Sequence, residues 1–560
     1  MCNVASRRWW AILPVAVMGV ASNTASAQPI DHDPDHVIVE FRERTRMGAV
    51  DSLLGGNGFT AVQSLRDSTT FLVHMPHGWT IETAVENISH RDAVAYAGPN
   101  YYCRLPESSQ LSQAFLDASP DPFTPGVSPD EFYVQSAVLR MQVSSGHQIT
   151  TGAGQVIASV DNGVDFSHSL LADRLLATGY DFADNDSIPS YDSGDYCGHG
   201  TFSAGLLALS APDAQILPIR VLDGDGRGTV FDVVQGLDHA ILSGASVICM
   251  GFSLPMDDHV VSAAVTRIKA AGITAVAPAG NDDSAVPYYP AAYESVVGVG
   301  AVDSLDKRAE FSNFGPSVDM CAPGVELYSA LPGDNAWGTW SGTSFSAPLV
   351  AGMAALVRAL HSAAPPECFE RILIWATEPI DSLNPLYAGA LGTGRANFAH
   401  ATGADLQVVA LWGTAVDTFG VGHEGVAVHV VRDGLAQPNS ETITDSLGRY
   451  VTAVFGGSAD LVFTPPLESG HGITERASVP LSADTMISVV LTSARRGDLN
   501  NDGVCDVLDV LAIIDIAFRG APPVSPEFIA DVSCDAIVDI IDVVSLIGHA
   551  FRGAPQSWCP

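Results

Sequence analysis

Lysine is almost missing from this chain. Among 26 basic residues only Lys269 and Lys307 are lysines, 63 residues are acidic, and the net charge is −37. So acidic a protein is repelled by phosphate backbones and anionic lipid, which excludes nucleic acid and charged membrane surfaces as partners. Charged residues of both signs make up only 16%. Scarce lysine with abundant aspartate suits work in salty or calcium-containing water, and an arginine bias from a GC-rich genome produces the same pattern. Long apolar runs are also lacking. Trp9 to Ala21 is the strongest candidate, and it falls short of the roughly 20 residues a membrane-spanning helix needs. Arg7 and Arg8 before it and Ala25-Ser-Ala27 behind it give residues 1–27 the form of a signal peptide, so export is expected, with no membrane span once the signal is removed.

What the chain does carry is a hydroxyl in an unusual place. Ser344 follows the turn Ser341-Gly342-Thr343 and precedes a run from Pro348 to Leu360 made almost wholly of Ala, Val, Leu and Met. That run reads as a helix buried on all sides with Pro348 in its first turn. Its free N–H groups and positive dipole end would face charge developing at Ser344. A serine needs a base, and the base needs an orienting group. Upstream, Val156 to Val160 reads as a buried strand that ends in Asp161-Asn162-Gly163, and His199 lies between Gly198 and Gly200 at the head of another apolar helix.

Asp-x-Gly, then Gly-His-Gly-Thr, then Gly-Thr-Ser-x-Ser-Ala-Pro, in that order, resembles the subtilisin-like (S8) serine peptidases, whose chain order differs from those of chymotrypsin and the α/β-hydrolases. The resemblance implies Asp161, His199 and Ser344 as a catalytic triad. Gly272 to Gly280 leads to Asn281, which resembles the oxyanion-hole residue of the family. Gly251, Phe252, Ser253 and Gly280 match positions that bind substrate. Three departures stand out: Asn162 where the family mostly has Thr or Ser, Phe202 in place of a histidine, and Cys249-Met-Gly-Phe-Ser253 in place of Asn-Met-Ser-Leu-Gly. They leave open an alternative reading, an impaired subtilase serving as an extracellular binding or adhesion protein.

The expected fold class is α/β: a subtilisin-like parallel sheet covered by helices, preceded by a small α/β propeptide and followed by a β-sandwich and a small helical module of paired calcium loops. Alternating patterns at His36 to Phe41 and Thr69 to His74, with helical spacing from Thr80 to Ser89, place an α/β unit over 31–104. Its end, Ala93 to Tyr102, resembles a subtilase propeptide tail, which implies a chaperone and inhibitor removed on maturation. The catalytic domain is expected over 125–403, its buried strands alternating with helices. Gly224 to Thr229 lacks the Gly-Lys-Ser/Thr ending of a phosphate loop and matches a family segment beside the substrate cleft. Asp184, Asp186 and Asp192 offer either a calcium site or a solvated acidic loop. Over 405–491 short alternating strands read as a β-sandwich, and Asp445 to Tyr450 resembles carboxypeptidase-regulatory-like domains.

The final segment, 494–560, repeats Phe-Arg-Gly-Ala-Pro at Phe518 and Phe551. Each repeat opens on a loop rich in oxygen donors, which suits Ca2+ and not zinc or copper. The first would use Asp498, Asn500, Asp502, the Val504 carbonyl, Asp506 and Asp509; the second, Asp531, Ser533, Asp535, the Ile537 carbonyl, Asp539 and Asp542. Ala536 occupies the turn position that Gly503 fills in the first loop, so weaker binding is expected in the second. Paired loops with one helix each resemble type I dockerin modules, which implies a cohesin-like scaffold as partner, alongside protein or peptide substrates. Val507-Leu508 and Ile540-Ile541 replace hydroxylated pairs typical of that contact. Export permits disulfides, Cys249 reads as a buried thiol, and spacing alone fixes no pairing among the nine cysteines.

Overall fold

The computed structural model describes residues 31–108, 129–333, 336–405, 408–432, 435–436, 440–466, 471, 474–491, 507–519, 543–544 and 547. The chain divides into two compact units, Met1–Ser362 with Leu373–Leu406 and Ala363–Ile372 with Gln407–Pro560.

In the first unit, four antiparallel strands open the described chain: β1 His32–Phe41, β2 Thr60–Ser64, β3 Thr70–His74 and β4 Val94–Arg104. They lie in the order β2-β3-β1-β4. Alternation of side chains sends Val37, Val39, Phe41, Phe71 and Val73 to one face, against Ile81, Ala84 and Ile88 of helix α1, Ile81–Ser89. Thr80 caps that helix by accepting from the Thr83 N–H.

The larger part is built on nine strands. β5 Val156–Asp161, β6 Tyr180–Asp181, β7 Gln215–Arg220, β9 Val247–Met250, β10 Thr274–Pro278, β11 Val296–Val302, β12 Met320–Pro323, β15 Thr377–Glu378 and β16 Arg395–Ala396 run β15-β16-β12-β11-β10-β9-β5-β7-β6 across the sheet. All neighbours pair in parallel except β15 with β16. Strands covered on both faces read as unbroken apolar runs, and β9, β10 and β11 are buried at each residue. Strand order reverses at β5: β7 lies on one side of it and β9 on the other. Such a switch point opens a crevice at the strand's carboxyl end, where β5 places Asp161.

Helices α2 His199–Ser210, α3 Val230–Leu242, α4 His259–Ala270 and α5 Thr343–Leu360 supply the flanking layers. Two details differ from the sequence-based expectation. The helix bearing Ser344 starts at Thr343, five residues before Pro348. Pro348 lacks the N–H that would bond the Ser344 carbonyl, a loss borne inside the helix and not in its first turn. This helix has the length and apolarity of a membrane span, yet 83% of it is buried in the protein, as a core helix requires.

The second difference concerns the acidic loop. Buried Arg220 reaches Asp181 Oδ2 at 2.6 Å, Asp184 Oδ2 at 2.6 Å and Asp192 Oδ2 at 3.5 Å. A guanidinium thus pairs with Asp184 and Asp192, two of the three acids for which the sequence left a calcium site or a solvated loop open, and among the described residues no group of three or more His, Cys, Asp or Glu is placed to hold a metal.

In the second unit, β17 Val408–Val416 pairs with β21 Arg449–Phe455, and β18 Ala427–Arg432 pairs with β22 Gly457–Thr464. These pairs belong to two sheets whose inward residues, among them Val409, Leu411, Val428, Tyr450, Leu461 and Phe463, share one core. Helix α6 Val507–Arg519 follows. Of the twelve calcium-loop residues only Asp509 is described; it is buried in α6. Asp498, Asn500, Asp502, Val504, Asp506, Asp531, Ser533, Asp535, Ile537, Asp539 and Asp542 lie outside the described residues, as does the segment 1–27.

Replacing Arg220 by Met should leave Asp181, 1% exposed at its side chain, buried without its counter-charge. The expected loss is about 3 kcal/mol of stability, read as a lower urea midpoint; an unchanged midpoint would show the pair to be dispensable.

Candidate active site

Three elements bring the predicted residues together. Asp161 ends β5, and its Oδ1 lies 2.8 Å from Nδ1 of His199, the first residue of α2. Gly198 precedes that helix at φ 94°, a conformation that glycine adopts without strain. Asn162, one of the family departures, is buried: its Nδ2 donates to the Tyr196 carbonyl at 2.8 Å, and its Oδ1 accepts from the Gly200 N–H at 2.9 Å. Asn162 therefore ties the strand end to the first turn of α2, and it fixes His199 relative to Asp161. Phe202, another departure, is fully buried. It packs on Phe345 and Trp340 with ring centroids 4.6 Å and 5.9 Å away, and those two rings contact His199 at 4.9 Å and 5.8 Å. Both departures thus support the imidazole, and neither replaces a proton carrier.

Ser344 stands in the first turn of α5, where its backbone N–H has no partner within the helix. Beside it, the Asn281 amide is oriented by Thr343: Asn281 Oδ1 accepts from the Thr343 N–H at 3.0 Å and from its hydroxyl at 2.8 Å. That leaves Nδ2 facing the space above Ser344. Thr343 Oγ1 also accepts from the Gly280 N–H at 3.2 Å, which anchors the turn before Asn281. Gly251 follows β9; a Cβ there would stand 2.3 Å from Asp161 Oδ2, so glycine permits the close approach. Phe252 is fully buried.

Ser253 shows how an extended chain lies in the cleft. Its N–H donates to the Arg104 carbonyl at 2.8 Å and its carbonyl accepts from the Arg104 N–H at 3.2 Å. On the other side, β8 Arg227–Thr229 pairs antiparallel with β4, Cys103 opposite Gly228 and Arg104 opposite Arg227. Gly224 to Thr229 is therefore a cleft wall. The N-terminal segment does not stop at Arg104: Leu105 donates to the Gly226 carbonyl at 2.9 Å, and Pro106–Ser108 forms a 3-10 turn.

That turn carries a residue that sequence reasoning missed. Glu107 is 1% exposed. Its Oε1 accepts from Asn281 Nδ2 at 2.9 Å, its Oε2 accepts from the Ser344 hydroxyl at 2.8 Å, and Oε2 lies 3.3 Å from His199 Nε2. This last approach is a charge contact, not an aligned hydrogen bond, because Nε2 has no hydrogen-bond partner. The Tyr196 hydroxyl donates to the Glu107 carbonyl at 3.3 Å. No pattern in the sequence marks Glu107, since the contact depends on where β4 delivers the chain. Among the described residues Cys103, Cys197, Cys249, Cys321 and Cys368 are unpaired thiols.

The chain is similar to known proteins in sequence and fold. The subtilase family profile matches residues 152–404, and the fervidolysin N-terminal prodomain profile matches 19–100. A thermophilic serine proteinase from Bacillus sp. (strain AK1) is 34% identical over 335 residues, covering 57% of this chain and 77% of that protein. Thermitase from Thermoactinomyces vulgaris is 37% identical over 228 residues, 39% of this chain and 80% of thermitase. The crystal structure of fervidolysin from Fervidobacterium pennivorans, a keratinolytic enzyme related to subtilisin, superimposes with a TM-score of 0.55 at 20% identity, covering 82% of this chain and 78% of that one. The chain belongs to the subtilase family. It is a serine endopeptidase that carries a prodomain.

His199 gives the closed site a pH signature. Burial disfavours its charge, but Asp161 and Glu107 outweigh burial and push its pKa from 6.5 up to about 10. A base whose pKa is raised by folding stabilises the fold fully below its unfolded value and loses that contribution as pH climbs through the folded value. With Ser344→Ala present to prevent self-cleavage, the uncut protein should lose stability between pH 6.5 and about 10. Urea midpoints across that range test this, and Asp161→Asn should flatten the profile; a slope that persists unchanged would remove His199 as its source.

Proposed function

We propose that Ser344, His199, Asp161 and Asn281 perform the peptide-bond hydrolysis. Ser344 Oγ attacks the scissile carbonyl while His199 Nε2 takes its proton, forming a tetrahedral adduct. Asp161 holds the imidazole by its Nδ1–H and stabilises the imidazolium. Asn281 Nδ2 and the Ser344 N–H donate to the oxyanion. His199 then protonates the departing amine, and water repeats the sequence to free the enzyme. The observation that carries this reading is the convergence of Ser344, Asn281 and His199 on one carboxylate, Glu107, with Asp161 behind the imidazole. Gly251, Phe252, Ser253 and Gly280 line the substrate side, and main-chain pairing at Ser253 favours extended peptides.

The enzyme is exported and matures by loss of its N-terminal region; the apolar stretch behind Arg7 and Arg8 and the family's prodomain support this. Asp498 to Asp509 and Asp531 to Asp542 bind two Ca2+ ions in a dockerin-like module that tethers the enzyme to a cohesin-like scaffold. Support for the module comes from the spacing of its oxygen donors and the apolar helix α6 that follows the first loop. The preceding region, 405–491, with its two sheets, acts as a carboxypeptidase-regulatory-like spacer.

A fluorophosphonate probe should label the purified mature form and fail to label Ser344→Ala; an unlabelled mature enzyme would refute the catalytic assignment. Asn281→Ala should lower kcat by about 100- to 1000-fold, a magnitude carried over from subtilisin, with KM little changed. Chelation should abolish the calorimetric transition of residues 494–560, and an unchanged transition would remove calcium from that module.

A further inference from the structure

The oxyanion hole of this protein already holds an anion, and the anion belongs to the protein's own side chain. Subtilases are preorganised for negative charge on an oxygen facing Asn281, because that is where charge develops during attack. A carboxylate delivered to the same place receives the same interactions. Glu107 is delivered by the chain path. Up to Leu105 the backbone follows an extended route between Gly226–Gly228 and Ser253. Pro106, which has no N–H to continue the pairing, then starts the 3-10 turn. Beyond it the donor atoms Asn281 Nδ2 and Ser344 Oγ both meet the side chain of Glu107 and not a peptide carbonyl. A Cβ on Gly342 would stand 2.1 Å from Oε1, so the carboxylate fits only because glycine precedes Thr343.

We propose that Glu107 is a built-in inhibitor: its side-chain carboxylate fills the oxyanion hole and takes the hydrogen bond of the Ser344 hydroxyl, so the uncut chain is inactive. This rests on the catalytic reading of Ser344, His199, Asp161 and Asn281. Three effects act together. The hole is full, so no substrate carbonyl is polarised there. The serine proton points at Glu107 Oε2 and away from imidazole. With carboxylates at both ring nitrogens, His199 is held as imidazolium and has no lone pair to accept that proton. A carboxylate is also a poor electrophile, so the serine it blocks does not consume it. Withdrawal of Glu107 reverses all three effects at once.

The test is fluorophosphonate labelling of freshly refolded, uncut full-length chain, with the mature form of each variant as reference. Charge-assisted hydrogen bonds are worth enough to predict labelling of uncut Glu107→Gln about 10- to 100-fold faster than uncut wild type, with earlier self-processing. Glu107→Asp, which keeps the charge on a shorter stem, should fall between them. Equal labelling of uncut wild type and Glu107→Gln, both with mature forms that label, would overturn the inference and leave the catalytic assignment standing. Mature wild type that does not label would instead sink the catalytic assignment, and the inference with it. Should Glu107→Gln fail to fold, histidine nitrogen shifts in the Ser344→Ala chain decide the matter. His199 should titrate well above the ordinary imidazole range with Glu107 in the hole, and a ring that is neutral at pH 8 would refute the occupied hole.

Discussion

Asp161 and His199 meet 2.8 Å apart with almost no access to solvent, and most of the molecule serves that contact. Burying an ionisable pair is costly unless each member is hydrogen-bonded and held in place. The strand end supplies the carboxylate, Asn162 joins that strand end to the first turn of α2, and an aromatic wall of Trp340, Phe345 and Phe202 covers the ring. Reversal of strand order at β5 creates the crevice into which the pair opens. Each support comes from a different part of the chain, so the site forms only when the whole sheet and its helices have assembled.

The N-terminal segment reads that site from the other side. Its grip on the cleft is mostly main chain, β4 against β8 and Arg104 against Ser253, which any extended peptide can reproduce. Side chains add to it outside the cleft: Arg227 stacks over Tyr102 at 3.3 Å and reaches Asp31 at 3.2 Å, an acid that also pairs with Arg104. Such exposed pairs are weak. The Glu107 carboxylate adds to these its contacts with Asn281 Nδ2 and the Ser344 hydroxyl.

Much of this was legible in the residues. Unbroken apolar strands announced a parallel sheet, and glycines around His199 and before Ser344 marked the two helix heads, because close backbone approach leaves a local signature. Chain order did the rest for Asp161 and Asn281. Arg220 was not legible as the partner of Asp181, Asp184 and Asp192, since it lies 28 to 39 residues further on, at the end of another strand, and acidic spacing alone looks the same with a metal or a guanidinium inside. Thr343 reads in the sequence as part of a motif, yet its work on the Asn281 amide is a three-dimensional fact. Pro348 misleads because proline usually opens helices, whereas here the five residues before it already coil.

Ser344 is the second residue of α5, and α5 is buried along its first fifteen residues. Local fraying therefore cannot detach Ser344; only cooperative loss of the central core can. The position of Ser344 is thereby coupled to folding: a molecule that opens far enough to expose its backbone to digestion has already lost the placement of that hydroxyl. The hold on that serine thus grows with every increment of global stability.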